Sequence, residues 1–262
     1  MGRGQHAGVQ NGRRFLDGLA EAAAIERDLL DRAGTTVIGR ADRAGSNSLA
    51  CYRAGAHLLV WGDPAVVDRV SDLSGPGTLE AVELAERAVR AGFDAVATVM
   101  SHVLPDDASV VPGGVGADYV QTWLEADDAA TVPAVRAFTE RCDPSEVEDA
   151  DLEDLDDYAE AAINVVVPDP APADDPLHIV AYASASVWFW DPALADIGVL
   201  VHRDHRRRGL ARVVVAHTTR RLLDEGRIPL YRHEAKNVGS QSTAASVGFR
   251  PVARLDYFVA SA

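Results

Sequence analysis

Gly198-Val-Leu-Val-His202-Arg-Asp-His-Arg206-Arg-Arg-Gly209-Leu-Ala211 is the stretch that decides the fold of this chain. An apolar run ends at Val201. A short basic loop with one glycine follows. Beyond it Ala211, Val214, Val215, Thr218 and Leu222 recur at helical spacing and mark one apolar face. The segment therefore reads as strand, loop and helix. The first turn of a helix leaves backbone N–H groups without partners and carries a partial positive charge. A pyrophosphate is a natural ligand for such an end. Gly209 removes the side chain that would block close approach, and Ala211 keeps the next turn small. Arg206, Arg207 and Arg208 add positive charge. By itself such a run could equally be an arginine-rich helix start standing in water.

Reading outward, the elements alternate regularly. Downstream come a strand at Ile228–His233, a short helix at Val238–Val247 and a last strand at Pro251–Val259. Upstream lie strands at Asp196–His202, His178–Trp190 and Ile163–Val167, with a turn-rich stretch at Pro168–Pro176. Before those come helices at Pro144–Asp157 and Ala130–Arg141 and a strand at Tyr119–Leu124. The order from residue 118 onward is β-α-α-β-β-β-α-β-α-β. Pro105–Gly116 holds two prolines, three glycines and two aspartates, and reads as a linker. Residues 14–104 read as a small α/β subdomain of unassigned role. Its helix carries Phe15, Leu19, Ala22, Ile25 and Leu29 and stops at Gly34. Strands are expected at Thr36–Ile38, His57–Trp61 and Ala95–Met100, and helices at Pro64–Leu73 and Thr78–Ala91. Residues 1–13 read as a disordered tail. The class is α/β.

Composition narrows the partners. The 262 residues carry a formal net charge of −15, which opposes binding to a polyanion and suits a cationic substrate. Aromatic interleaving for base stacking is absent from the arginine loop, so no nucleic-acid partner is expected. Lys236 is the one lysine. Cys51 and Cys142 form no CxxC pair, so no metal is expected, and a reduced cytoplasmic location is the default. The polar, glycine-rich start is unlike a secretory signal, and no apolar run approaches membrane-spanning length.

Arg206-x-x-Gly209-x-Ala211 resembles the Arg/Gln-x-x-Gly-x-Gly/Ala signature of the GCN5-related N-acetyltransferases (GNAT). Asn237-x-x-Ser240-x-x-x-Ala244-x-x-x-Gly248-Phe249 is similar to that family's second motif, at a spacing that suits one helix plus one strand. The likeness covers about residues 118–262. It implies a mixed, strongly twisted sheet flanked by helices. It further implies acetyl-CoA as co-substrate, its pyrophosphate held by the amides of Arg206, Arg207, Arg208, Gly209, Leu210, Ala211 and Arg212. Ile197, Gly198, Val199, Leu200 and Val201 would splay from the next strand and pair with the pantetheine arm. Asn237 and Ser240 would contact the cofactor, although asparagine there also suits a helix N-cap.

The implied reaction is direct attack of a primary amine on a thioester. The acceptor would be a small molecule or peptide. A homodimer would fit the habit of many relatives, and no membrane partner is implied. Asp196 is the first candidate base, with His233 and Glu234 as neighbours or substitutes. His202 and His205 flank the loop. The sequence departs from the family at Ala244, where many members have the tyrosine that protonates the leaving thiolate. Tyr231, Tyr257, Ser240 or water are the candidate replacements. A coenzyme A-binding regulator without turnover is the alternative. Two further features stand open between packing and an acceptor pocket: the aromatics Trp188, Phe189 and Trp190, and the run Asp143–Asp157 with nine acidic residues in fifteen.

Overall fold

Strand β3 (His57–Gly62) is buried along its whole length, because it runs between two neighbours and under helices. It pairs in parallel with β1 (Gly34–Gly39) and antiparallel with β2 (Ser48–Ala54). The structure, a computed structural model, describes residues 10–125, 128–150, 163–173, 175, 177–188 and 191–261. The chain divides into two units: Met1–Val103 with Arg232–Asn237 and Pro251–Ala262, and Leu104–Tyr231 with Val238–Arg250.

In the first unit the strand order is β1, β3, β2, β10 (Arg250–Ala260), β4 (Phe93–Val103), and then the C-terminal end of β9 (Ile228–Glu234). Helices α1 (Gln10–Ala23), α2 (Pro64–Val67) and α3 (Ala81–Arg90) complete it. Leu49, Cys51, Leu58, Val60, Leu84, Ala88, Phe93 and Phe258 form its core. Each fully buried Leu or Phe contributes about 1.5–3 kcal/mol. Strand β2 has no counterpart in the sequence reading. Ser-Leu-Ala-Cys-Tyr-Arg-Ala lacks a clean alternation, and strands on both sides fix it instead. The first helix is shorter than its periodicity predicts. It ends at Ala23, Ala24 takes φ +54°, and a 3-10 turn at Arg27–Asp31 carries Leu30, not Leu29, into the core. The last strand, expected to close the C-terminal domain, pairs with β2 from Ala253↔Ala54 to Val259↔Ser48 and lies in the first unit.

The second unit contains β5 (Tyr119–Leu124), α4 (Thr131–Thr139), α5 (Pro144–Asp149), β6 (Ile163–Pro168), β7 (Ala181–Trp188), β8 (Asp191–Val201), α6 (Leu210–Asp224), the start of β9, and α7 (Val238–Val247). This is the predicted order of elements. The strands run β9, β8, β7, β6, β5, with β8 and β9 parallel and the rest antiparallel, so the sheet is mixed. Alternation sends side chains to two faces. On one face Val135, Phe138, Ala150, Ile163, Val165, Tyr182 and Leu200 pack with α4 and α5. On the other, Ala195, Ile197, Val215, Leu222, Tyr231, Ala244 and Phe249 pack with α6 and α7. The expected linker does not stand apart from this unit, because Leu104 and Val110 are buried in the second core. No helix among the described residues is long and apolar enough to cross a membrane.

Gly198 is where α5 meets β8. A Cβ there would lie 2.6 Å from the carbonyl oxygen of Ala150, at the end of α5. That opposing atom is backbone and cannot rotate away. Gly198→Ala should therefore lower unfolding stability by about 1–3 kcal/mol, read from denaturant midpoints. An unchanged midpoint would show that α5 does not hold this contact in solution.

Candidate active site

Strands β8 and β9 pair over three positions, Leu194↔Ile228, Ala195↔Pro229 and Asp196↔Leu230. Beyond Asp196, β8 continues to Val201 with β7 alone as its partner strand. Parallel neighbours that stop pairing while still extended leave backbone N–H and C=O groups available on the parted edge. Ile197–Val201 is the segment that the family resemblance assigned to the pantetheine arm.

The loop after β8 is shaped by its backbone. A 3-10 turn spans Arg203–His205, with the His202 side chain accepting from the Asp204 N–H at 3.4 Å. Arg206 is extended, Arg207 takes φ +60°, and Gly209 takes φ +79° as the N-cap of α6. Two left-handed residues within three positions turn successive amides toward one side, the geometry of an anion nest. No side chain caps this helix and its first turn holds no acid. The Val213 N–H reaches back to the Gly209 carbonyl at 3.2 Å, whereas the preceding first-turn amides have no intrahelical partner. A Cβ built on Gly209 meets nothing within 4 Å, so the space beside it is open. These residues fit a pyrophosphate.

The arginine side chains do something different from what the sequence suggested. Arg206 donates to a Glu146 carboxylate oxygen on α5 and, through Nε, to the Val201 carbonyl at 3.1 Å. The hydrogen bond to Glu146 raises its pKa, against the opposing effect of burial. Arg208 donates to Tyr119 Oη at 2.9 Å, and Tyr119 Oη lies 3.0 Å from His205 Nδ1. Burial, ahead of the charge of Arg208, lowers the His205 pKa. Two of the three arginines thus brace the loop against α5 and β5.

The predicted catalytic residues divide between the units. Asp196 is buried at 8% exposure and lies opposite Ser186 on β7. By alternation it shares a face with Gly198 and Leu200, the α4–α5 face. Tyr231 is fully buried on the opposite, α6–α7 face, beside Phe249 with ring centroids 5.5 Å apart. Its Oη is 2.8 Å from Ser240 Oγ on α7. Burial raises the Tyr231 pKa to about 12, the Ser240 bond opposes this, and the negative charge of Asp196 adds to it. The charge of Asp196 thus reaches Tyr231, although the two side chains lie on opposite faces. Ala244, on the same helix, is fully buried in that core.

His233, Glu234 and Asn237 belong to the first unit. Glu234 pairs with Lys236 at 2.7 Å, and the Asn237 N–H donates to the Glu234 carbonyl at 2.9 Å. Tyr257, on β10, also lies in the first unit. His233 has a partner that sequence reasoning missed, His102 on β4, with the two Nε2 atoms 3.0 Å apart. His233 Nδ1 donates to the Glu234 carbonyl at 2.8 Å, so the neutral ring accepts at Nε2 from His102. No motif in the sequence marks His102. The aromatic set Trp188, Phe189 and Trp190 and the acidic run Asp143–Asp157 lie partly outside the described residues. Of the run, α5 and Ala150 are described.

Residues 183–259 match the family model described as FR47-like protein, which is GNAT-related. A GNAT-family acetyltransferase from Colwellia psychrerythraea is similar in structure at a TM-score of 0.50 and 15% identity, over 77% of this chain and 76% of that one. A GNAT-family protein from Novosphingobium aromaticivorans gives 0.46 and 19%, over 65% and 69%. The protein yncA from Salmonella typhimurium, solved with acetyl-CoA, gives 0.38 and 15%, over 54% and 92%. Comparison with curated proteins gives no match. The fold is that of the GNAT acetyltransferases, and the C-terminal portion of the chain carries an FR47-like segment on it.

Burial, followed by the charge of His233, lowers the His102 pKa to about 4 from an ordinary 6.5. The unfolded chain therefore takes up a proton near pH 6.5 that the folded chain refuses until about 4. Stability should be full above that window and fall by up to about 3 kcal/mol as pH drops through it. Denaturation midpoints measured across the window check this, and His102→Phe should flatten the dependence. An equally steep fall in that variant would assign the loss to other groups.

Proposed function

We propose that this chain is an acyl-CoA-dependent N-acyltransferase that moves an acetyl group from acetyl-CoA to a primary amine by direct attack. The observation that carries the reading is the parting of β8 from β9 after Asp196, immediately before an uncapped helix start with open space at Gly209. One feature offers backbone groups to an extended amide-bearing arm, and the other offers amides to a pyrophosphate.

Acetyl-CoA, when bound, supplies an activated thioester. The amides of Arg207–Arg212 would bind its phosphates. The free edge of β8 would orient the arm, and a backbone N–H there would polarise the thioester carbonyl, a contribution of typically about 3 kcal/mol. Asp196 would take the proton of the attacking amine, directly or through one water. Glu148 on α5, whose end packs over this face of the sheet, and the net charge of −15 favour a cationic acceptor, whether small molecule or peptide. Holding both reactants in one cleft would supply much of the acceleration.

Ala244, buried where many family members have a tyrosine, favours a second reading: a coenzyme A-binding regulator without turnover. Thiol release from acetyl-CoA across a panel of primary amines separates the two.

Calorimetric titration with acetyl-CoA tests the site itself. Gly209→Glu places bulk and charge in the nest and should weaken binding by about 100-fold or more, while Asp196→Asn should bind normally. Equal affinity in the wild type and Gly209→Glu would exclude the loop as the phosphate site. With an amine that turns over, Asp196→Asn should lower kcat by about 100- to 10,000-fold, and an unchanged kcat would remove Asp196 from the chemistry.

A further inference from the structure

The Tyr231–Ser240 pair is a feature that packing does not require. A phenylalanine would fill the same core beside Phe249 and Ala244, without the cost of burying a hydroxyl. Instead the chain buries the phenol completely and joins its oxygen to Ser240 Oγ at 2.8 Å. Ser240 lies in the first turn of α7 and is half-buried, whereas Tyr231 is fully buried. Tyr231 is also the first residue of β9 beyond the last β8 pair, Asp196↔Leu230. The two hydroxyls therefore sit where the strands part, on the face opposite Asp196.

We propose that Ser240 donates a hydrogen bond to the sulfur of a coenzyme A thioester and so stabilises the departing thiolate, with Tyr231 as the positioning residue that donates to Ser240 from behind. This deepens the acyltransferase reading and rests on it. The amine nitrogen bonds to the acyl carbon, the C–S bond breaks, and its electron pair stays on sulfur. The amine proton passes to Asp196. The hydroxyls keep their protons throughout. A phenol held at about 12 does not surrender a proton to a thiolate whose ordinary pKa is about 8.5. The thiolate takes its proton from solvent after release. Two charge-assisted hydroxyl contacts in series thus stand in for an acid on α7, where Ala244 offers none.

Binding alone tests this, without knowledge of the acceptor. The probes are coenzyme A and desulfo-coenzyme A, the same molecule without its sulfur. Affinities are measured by calorimetry between about pH 7 and pH 10, a window that spans thiol ionisation. In the wild type the ratio of coenzyme A to desulfo-coenzyme A affinity should rise about tenfold across the window, equivalent to one unit of pKa lowering in the bound thiol. Ser240→Ala should abolish the rise, and Tyr231→Phe should reduce it by at least half, each variant being read against its own affinity for desulfo-coenzyme A. A rise that persists in both variants, or a flat ratio in the wild type, overturns the assignment and leaves the acyltransferase reading intact. No binding of either probe to the wild type overturns both.

Discussion

The parallel pairing of β8 with β9 lasts three residues, and the candidate chemistry depends on its ending. A strand inside a sheet normally spends its backbone donors and acceptors on two neighbours. Up to Asp196, β8 does so. From Ile197 to Val201 it keeps β7 and loses β9, yet stays extended because its side chains remain locked into the two cores that flank the sheet. Ile197 and Leu200 are both buried, on opposite faces. The polar edge is therefore held open by apolar packing on either side. Gly198 contributes by letting the Ala150 carbonyl approach more closely than any side chain would allow.

The same economy shapes the loop that follows. Three arginines in a row suggest that charge does the binding, but two of them are occupied in holding the loop. Arg206 ties it to Glu146 and Val201, and Arg208 to Tyr119. What the loop presents is a set of amides oriented by left-handed backbone at Arg207 and Gly209. Amides fixed in this way carry no counter-charge of their own and need no reorganisation to meet a phosphate. The site can therefore be selective for an anion in a chain whose overall charge is negative.

Strand alternation then divides the chemistry. Asp196 and Tyr231 lie on neighbouring strands one register position apart, so they fall on opposite faces. The proposed base and the proposed hydroxyl pair are thereby kept on opposite faces of the sheet. Burial, with a smaller contribution from the charge of Asp196, raises the pKa of the Tyr231 phenol.

Much of this was legible in the sequence, for reasons local to it. The order of elements from Tyr119 onward follows from apolar periodicity and turn residues, and α7 and β5 fall where that spacing puts them. Gly209 and the apolar face of α6 identify the loop and the helix it starts, because a left-handed N-cap is written in one residue. Long-range pairing was not legible. Nothing in Ser48–Ala54 announces a strand, and nothing in Arg250–Ala260 says that it pairs with β2, because hydrogen-bond partners two hundred residues apart leave no local pattern. His102 joined His233, and Glu146 joined Arg206, for the same reason. By itself the sequence determined the order of strands and helices from Tyr119 to Val247 and the glycine that starts α6, since those depend on neighbours within a few turns of chain. Only the tertiary structure decided where β8 and β9 part, which face each of Asp196 and Tyr231 occupies, and which arginines are already engaged, since each is a question of what stands opposite in space.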